Sequence, residues 1–192
     1  MATADLNIDT IGDQQRISLQ WFLDNAGIVR SWRDIQLQAE AGNRLATQAK
    51  GIYKPAYTDY ALSVRQTLDS PYANKEIVSR PDGSWLYPYF QENPDPKARD
   101  HEATNRGLMN CLRDGVPIGV MIQTKPKPGV EYLVVGLGVV IDWKDGYFII
   151  EQYGTAPRHA RDRDAALDWV SAELEDLPPS PPAVDVREWE IR

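Results

Sequence analysis

Residues 116–153 read VPIGVMIQTKPKPGVEYLVVGLGVVIDWKDGYFIIEQY. Three runs rich in valine, isoleucine and aromatic residues, VPIGVMIQ, EYLVVGLGVVIDW and GYFIIEQY, are separated by KPKPG and KDG. Short polar breaks of that kind join neighbouring strands into hairpins. The stretch is expected to form an antiparallel meander, with the nearly unbroken apolar run at 133–141 buried on both faces.

Working outward, Asp100 is placed to cap a helix in which Thr104, Leu108, Cys111 and Leu112 share a face and which Gly115 ends. YALSVRQT at 60–67 alternates as a half-buried strand, and Pro81-Asp82-Gly83 marks a turn before SWLYPYFQ. The two-residue strand period puts Trp85, Tyr87 and Tyr89 on one face. Asp13 to Gly27 reads as a helix with Asp13 at its N-cap and Leu19, Phe22, Leu23 and Ala26 on one side, and Trp32 to Ala41 as a second helix. Downstream, Leu167, Val170 and Leu174 mark an amphipathic helix, and PPSPP at 178–182 an extended spacer. The class is α+β. The expected division is a helical appendage at 1–43, a sheet domain at 44–155, a C-terminal helix at 156–177 and a proline-rich tail at 178–192.

The chain has 192 residues and a formal net charge of -7. Residues 1–43 carry 3 basic and 6 acidic side chains, residues 44–163 carry 16 and 14, and residues 164–192 carry 2 and 8. The middle is therefore mildly basic and the acidity sits at the ends, so the bulk charge does not argue against a polyanionic partner. The single Cys111 forms no internal disulfide, and no charged-then-apolar leader or long apolar run is present, which leads to the expectation of a soluble intracellular protein.

GIYKP at 51–55, YALSV at 60–64, SPY at 70–72, YPYFQ at 87–91, NRGL at 105–108, GVPIGVM at 115–121 and YLVVGLGVVIDW at 132–143, followed by GYF at 146–148, stand in a definite order. In order and spacing these blocks resemble the SRA (YDG) domain, over residues 44–153. The branch they most resemble lies ahead of HNH nuclease domains in modification-dependent, type IV restriction endonucleases. The resemblance implies a PUA-like curved β-barrel with flanking helices that reads modified cytosine, 5-methyl or 5-hydroxymethyl, by flipping it from duplex DNA. It implies that Tyr72 and Tyr89 sandwich the base, with Ser70, Asn74 and Phe90 completing the pocket. Contacts to the DNA backbone are expected from Arg65, Lys75, Asn105, Arg106, Lys125 and Lys127. Lys50, Lys54, Arg158, Arg161 and Arg163 are further cations that could follow a phosphate chain. Duplex DNA with modified bases, a covalently linked C-terminal HNH nuclease domain and a second copy in a homodimer are the partners considered, with no membrane, no cofactor, and a place in the bacterial cytoplasm and in phage defence.

Two departures bear on the ligand. Val135 stands before Gly136 where the family has an aspartate, and Asn74 with Lys75 replaces the acidic residue that usually follows the first tyrosine. A lysine cannot accept a hydrogen bond from a cytosine amino group, whereas the Asn74 amide oxygen can. QENPDP replaces the family's glycine-rich turn, so no base-inserting finger is carried over. The chain is not expected to be an enzyme. His101, His159 and Cys111 do not make a metal-ligand spacing, Cys111 lies on an apolar helix face, and Asp82, Asp142 and Lys144, which mimic a PD-(D/E)xK nuclease, fall in turns. RNA or phosphorothioate DNA is the alternative ligand, and this nuclease the alternative activity.

Overall fold

A computed structural model describes residues 9–70 and 76–154. Among these residues three α-helices, α1 (Asp13–Asp24), α2 (Trp32–Glu40) and α3 (Ala103–Asp114), accompany eight strands. The strands are β1 (Val29–Ser31), β2 (Ile52–Tyr53), β3 (Ser63–Gln66), β4 (Val78–Ser79), β5 (Trp85–Phe90), β6 (Ile118–Lys125), β7 (Glu131–Lys144) and β8 (Tyr147–Gln152). They form one curved, unclosed sheet in the order β2-β3-β6-β7-β8-β5-β4, with β1 paired to the start of β7. The α+β class read from the sequence is the class of the structure.

The meander is present. β6 pairs antiparallel with β7, and β7 with β8. Asp145 and Gly146, at φ 50° and 91°, make the tight turn between the latter two, a conformation that Asp and Gly enter at low cost. The run at 133–141 alternates more than its apolarity suggested: Val134, Gly136 and Leu137 are buried, whereas Leu133, Val135 and Val139 are half-buried. β3 runs parallel to β6, which no local pattern announces.

The helices follow their signals with shifts at the ends. The Ser31 hydroxyl accepts from the Asp34 amide at 3.1 Å while the Asp34 carboxylate accepts from the Ser31 amide at 3.2 Å, a reciprocal cap that starts α2. Asp13 is the first residue of α1 rather than its cap, which is Gly12. Asp100 does not cap α3 either. It lies in a 3-10 turn (Pro96–His101) capped by Asp95, and α3 begins after Glu102 and ends at Gly115 in the left-handed conformation.

The expected appendage is corrected by burial. Leu19 and Phe22 of α1 are fully buried in the same core as Val64, Tyr87, Ile118 and Phe148. A Cβ on Gly119 would clash with the Phe22 ring, so α1 reaches the sheet only because β6 has no side chain there. Met1 to Tyr153 forms one compact unit, and the second unit starts at Gly154. The expected C-terminal helix and proline-rich tail lie outside the described residues. No helix among the described residues is long and apolar enough to cross a membrane.

Candidate functional site

The curved sheet brings its two ends together through side chains. On the inner face of β5 the Tyr87 hydroxyl donates to Gln66 Oε1 of β3 at 2.6 Å, and the Tyr89 hydroxyl lies against Gly51, just before β2. The two rings meet edge to face at 5.9 Å. Burial holds the Tyr87 phenol well above its ordinary pKa, so it stays a donor. Trp85 shares this face, because its ring and Ile150 are what a Cβ on Gly138 would strike.

Of the expected pocket residues, Tyr72 and Asn74 lie outside the described residues. Ser70 is half-buried, its amide donating to the Thr67 carbonyl at 3.3 Å. Tyr89 is corrected from a pocket wall to a core ring: it is 3 % exposed, which leaves no open face for a base. Phe90 is corrected by strand alternation. It points to the outer face, where its ring meets Tyr147 at 5.0 Å over Gly146.

The expected phosphate contacts divide in the same way. Lys75 lies outside the described residues. Lys125 and Lys127 are exposed on the β6–β7 hairpin, with Lys125 also 3.2 Å from Glu131. Arg106 is exposed on α3, where it donates to the carbonyls of Asp100 and His101 and, with Lys54, lines a surface depression. That depression lies away from the hairpin, since Gly107 packs on Ala61, ahead of β3, and the hairpin continues from the strand beside β3's far end.

Arg65 and Asn105 are corrected to structural roles. The Arg65 guanidinium is 5.2 Å from the Trp32 ring centre and 5.5 Å from that of Tyr132, and it donates to the Tyr132 hydroxyl at 2.6 Å and the Gln48 carbonyl at 3.2 Å. It is a clamp between β3, β7 and α2. Asn105 is fully buried: its Oδ1 accepts from the Glu92 amide at 3.0 Å and its Nδ2 donates to the Glu92 carbonyl at 2.7 Å. The Glu92 carboxylate accepts from Thr104 at 2.6 Å and pairs with Lys50 at 2.9 Å, and this contact raises the Lys50 pKa. Sequence reading treated both as surface polar residues because a buried polar network has no period of its own.

One link was missed. The Leu68 amide, in the segment leaving β3, donates to Gln123 Oε1 at 3.1 Å, and Gln123 Nε2 donates to the Lys125 carbonyl at 2.9 Å. Gln123 thus ties the start of the 67–77 connection to the lysine hairpin, and residues 71–75 belong to that connection.

The nuclease triplet is not assembled. The Asp82 turn precedes the first residue of β5, while the hairpin after Asp142 and Lys144 pairs with its last, Phe90 against Tyr147. A six-residue strand separates the two by roughly 17–20 Å. Among the described residues no group of three His, Cys, Asp or Glu side chains could hold a metal ion. Cys111 is buried with its thiol donating to the Ala61 carbonyl, and burial pushes its pKa from 9.0 up to about 12. Native Cys111 is therefore expected to resist alkylation at neutral pH. Above pH 9.0 the unfolded thiol ionises and the native one does not until about 12, so this group makes stability fall as pH rises through that window. The loss is at most about 1.4 kcal/mol per pH unit, checked by urea titrations of wild type and Cys111→Ala.

No protein-family model matches the chain, and no curated protein matches it. Among solved structures the chain is similar to the crystal structure of KRYPTONITE in complex with mCHH DNA, H3(1-15) peptide and SAH, at 14% identity with a TM-score of 0.37. The overlap covers 81% of this chain and 36% of that chain, so the present chain spans about a third of its length.

Proposed function

We propose that the chain is a DNA-reading module of the SRA kind, which binds duplex DNA and accepts a modified cytosine turned out of the helix. The observation that carries the reading is the link at Gln123: the connection containing Ser70-Pro71-Tyr72 leaves β3 beside a hairpin that bears two exposed lysines. A flipped base loses stacking worth a few kcal/mol, and each aromatic contact returns roughly 1–3 kcal/mol, while phosphate contacts supply affinity without sequence information. The setting we propose is a modification-dependent restriction system of the bacterial cytoplasm acting against phage, in which an HNH nuclease domain follows this module and cutting is left to it.

Anisotropy titrations with duplexes carrying cytosine, 5-methylcytosine, 5-hydroxymethylcytosine or a phosphorothioate, and with RNA, test this at several salt concentrations. Tighter binding of a modified-cytosine duplex is expected, with affinity falling as salt rises and no cleavage when magnesium or manganese is added. Tyr72→Ala is expected to lose roughly 1–3 kcal/mol of the preference while binding to unmodified DNA stays unchanged. Equal affinity for cytosine and its modified forms, or preference for RNA or phosphorothioate, would overturn the reading.

A further inference from the structure

The three rings on the inner face of β5 are not equivalent. Tyr87 and Tyr89 are 0% and 3% exposed, and both sit where the sheet ends meet. To stack on a base, either would have to leave the core and open a cavity behind it. Trp85 is half-buried. It is the first residue of β5, it follows the Pro-Asp-Gly turn, and its ring rests over Gly138, where a Cβ would come within 2.9 Å of Cη2. Along β5, Tyr89 meets the chain at Gly51 and Tyr87 meets it at Gln66. The two-residue period carries Trp85 one step further, past the end of β3, to the level at which the 67–77 connection departs. Gln66, the last residue of β3, has its Oε1 engaged by Tyr87, and among the described residues no partner holds its Nε2.

We propose that Trp85, in place of Tyr89, is the strand-side stacking ring of the base site, and that Gln66 supplies a hydrogen-bond donor to the acceptor edge of the pyrimidine. This rests on the reading that the chain accepts a flipped base. Stacking needs ring surface outside the core, and Trp85 alone of the three is only half-buried. Cytosine presents N3 and O2 as acceptors once unpaired, and an amide whose oxygen is held by Tyr87 turns its NH2 outward.

The ratio of modified to unmodified duplex affinity, with a thermal melt of each variant, tests the assignment. Trp85→Ala is expected to lower that ratio about tenfold or more, Trp85→Phe to restore much of it, and Tyr89→Phe to leave it unchanged. Gln66→Leu should lower it about fivefold, and Tyr87→Phe, which releases the Gln66 oxygen and so the orientation of its NH2, should lower it by less. Binding of modified duplex should also quench tryptophan emission in wild type, a change lost in Trp85→Phe. If wild type shows a preference that folded Trp85→Ala keeps, the assignment fails while the reader stands. Should Trp85→Ala not fold, an equal quench in wild type and Trp85→Phe overturns the assignment. If wild type shows no preference, the reader itself fails and takes this assignment with it.

Discussion

Asn105→Ala is expected to lower stability by about 2–4 kcal/mol, because it leaves the Glu92 N–H and C=O buried without partners. At roughly 2–4 °C per kcal/mol for a domain of this size, the melting temperature should fall by about 5–15 °C. The same variant separates the structural role from the role expected from sequence. A lost phosphate contact would reduce the salt dependence of DNA binding by about one unit in log–log slope. Asn105→Ala, assayed well below its melting temperature, should keep the wild-type slope. A wild-type melting temperature with a reduced slope would restore Asn105 to the DNA surface.

Gly119→Ala is expected to cost about 3 kcal/mol, near the upper part of the range for overpacked cores. The new methyl group meets the Phe22 ring, which is fully buried and has little room to retreat. Denaturant titration should show the loss, and Phe22→Leu placed in the same chain should recover part of it, since the two changes act on one contact. Deleting residues 1–43 should be worse than either, exposing the core that Leu19 and Phe22 cover. A truncated chain that melts cooperatively at the wild-type temperature would return α1 to the status of an appendage.

What was legible in the sequence is what short-range physics writes there. The β6–β7–β8 meander was readable from apolar runs broken by KPKPG and KDG, and α3's end from Gly115, because turns and caps are set by a few neighbouring residues. The parallel β3–β6 pairing was not legible, since residues 63–66 and 119–122 carry no mutual signal. Helix α1 was legible as a helix but not as core, because what admits it is the glycine at position 119. Trp85, Tyr87 and Tyr89 were correctly set on one face. Which of them are buried depends on how far the sheet curls, and that is decided by distant contacts at Gly51 and Gln66.

The placement of α1 against Gly119 also sets an order of events during synthesis. Phe22 emerges about a hundred residues ahead of Gly119, a delay of roughly 5–20 s at translation rates of 5–20 residues per second. β3 pairs early with β2 but waits in the same way for β6 on its other edge, so neither α1 nor that edge of β3 has its partner until β6 is made. The β6–β7–β8 meander is the surface onto which α1, β1 and β3 fold back. Until that moment Leu19 and Phe22 have no sheet face to cover them.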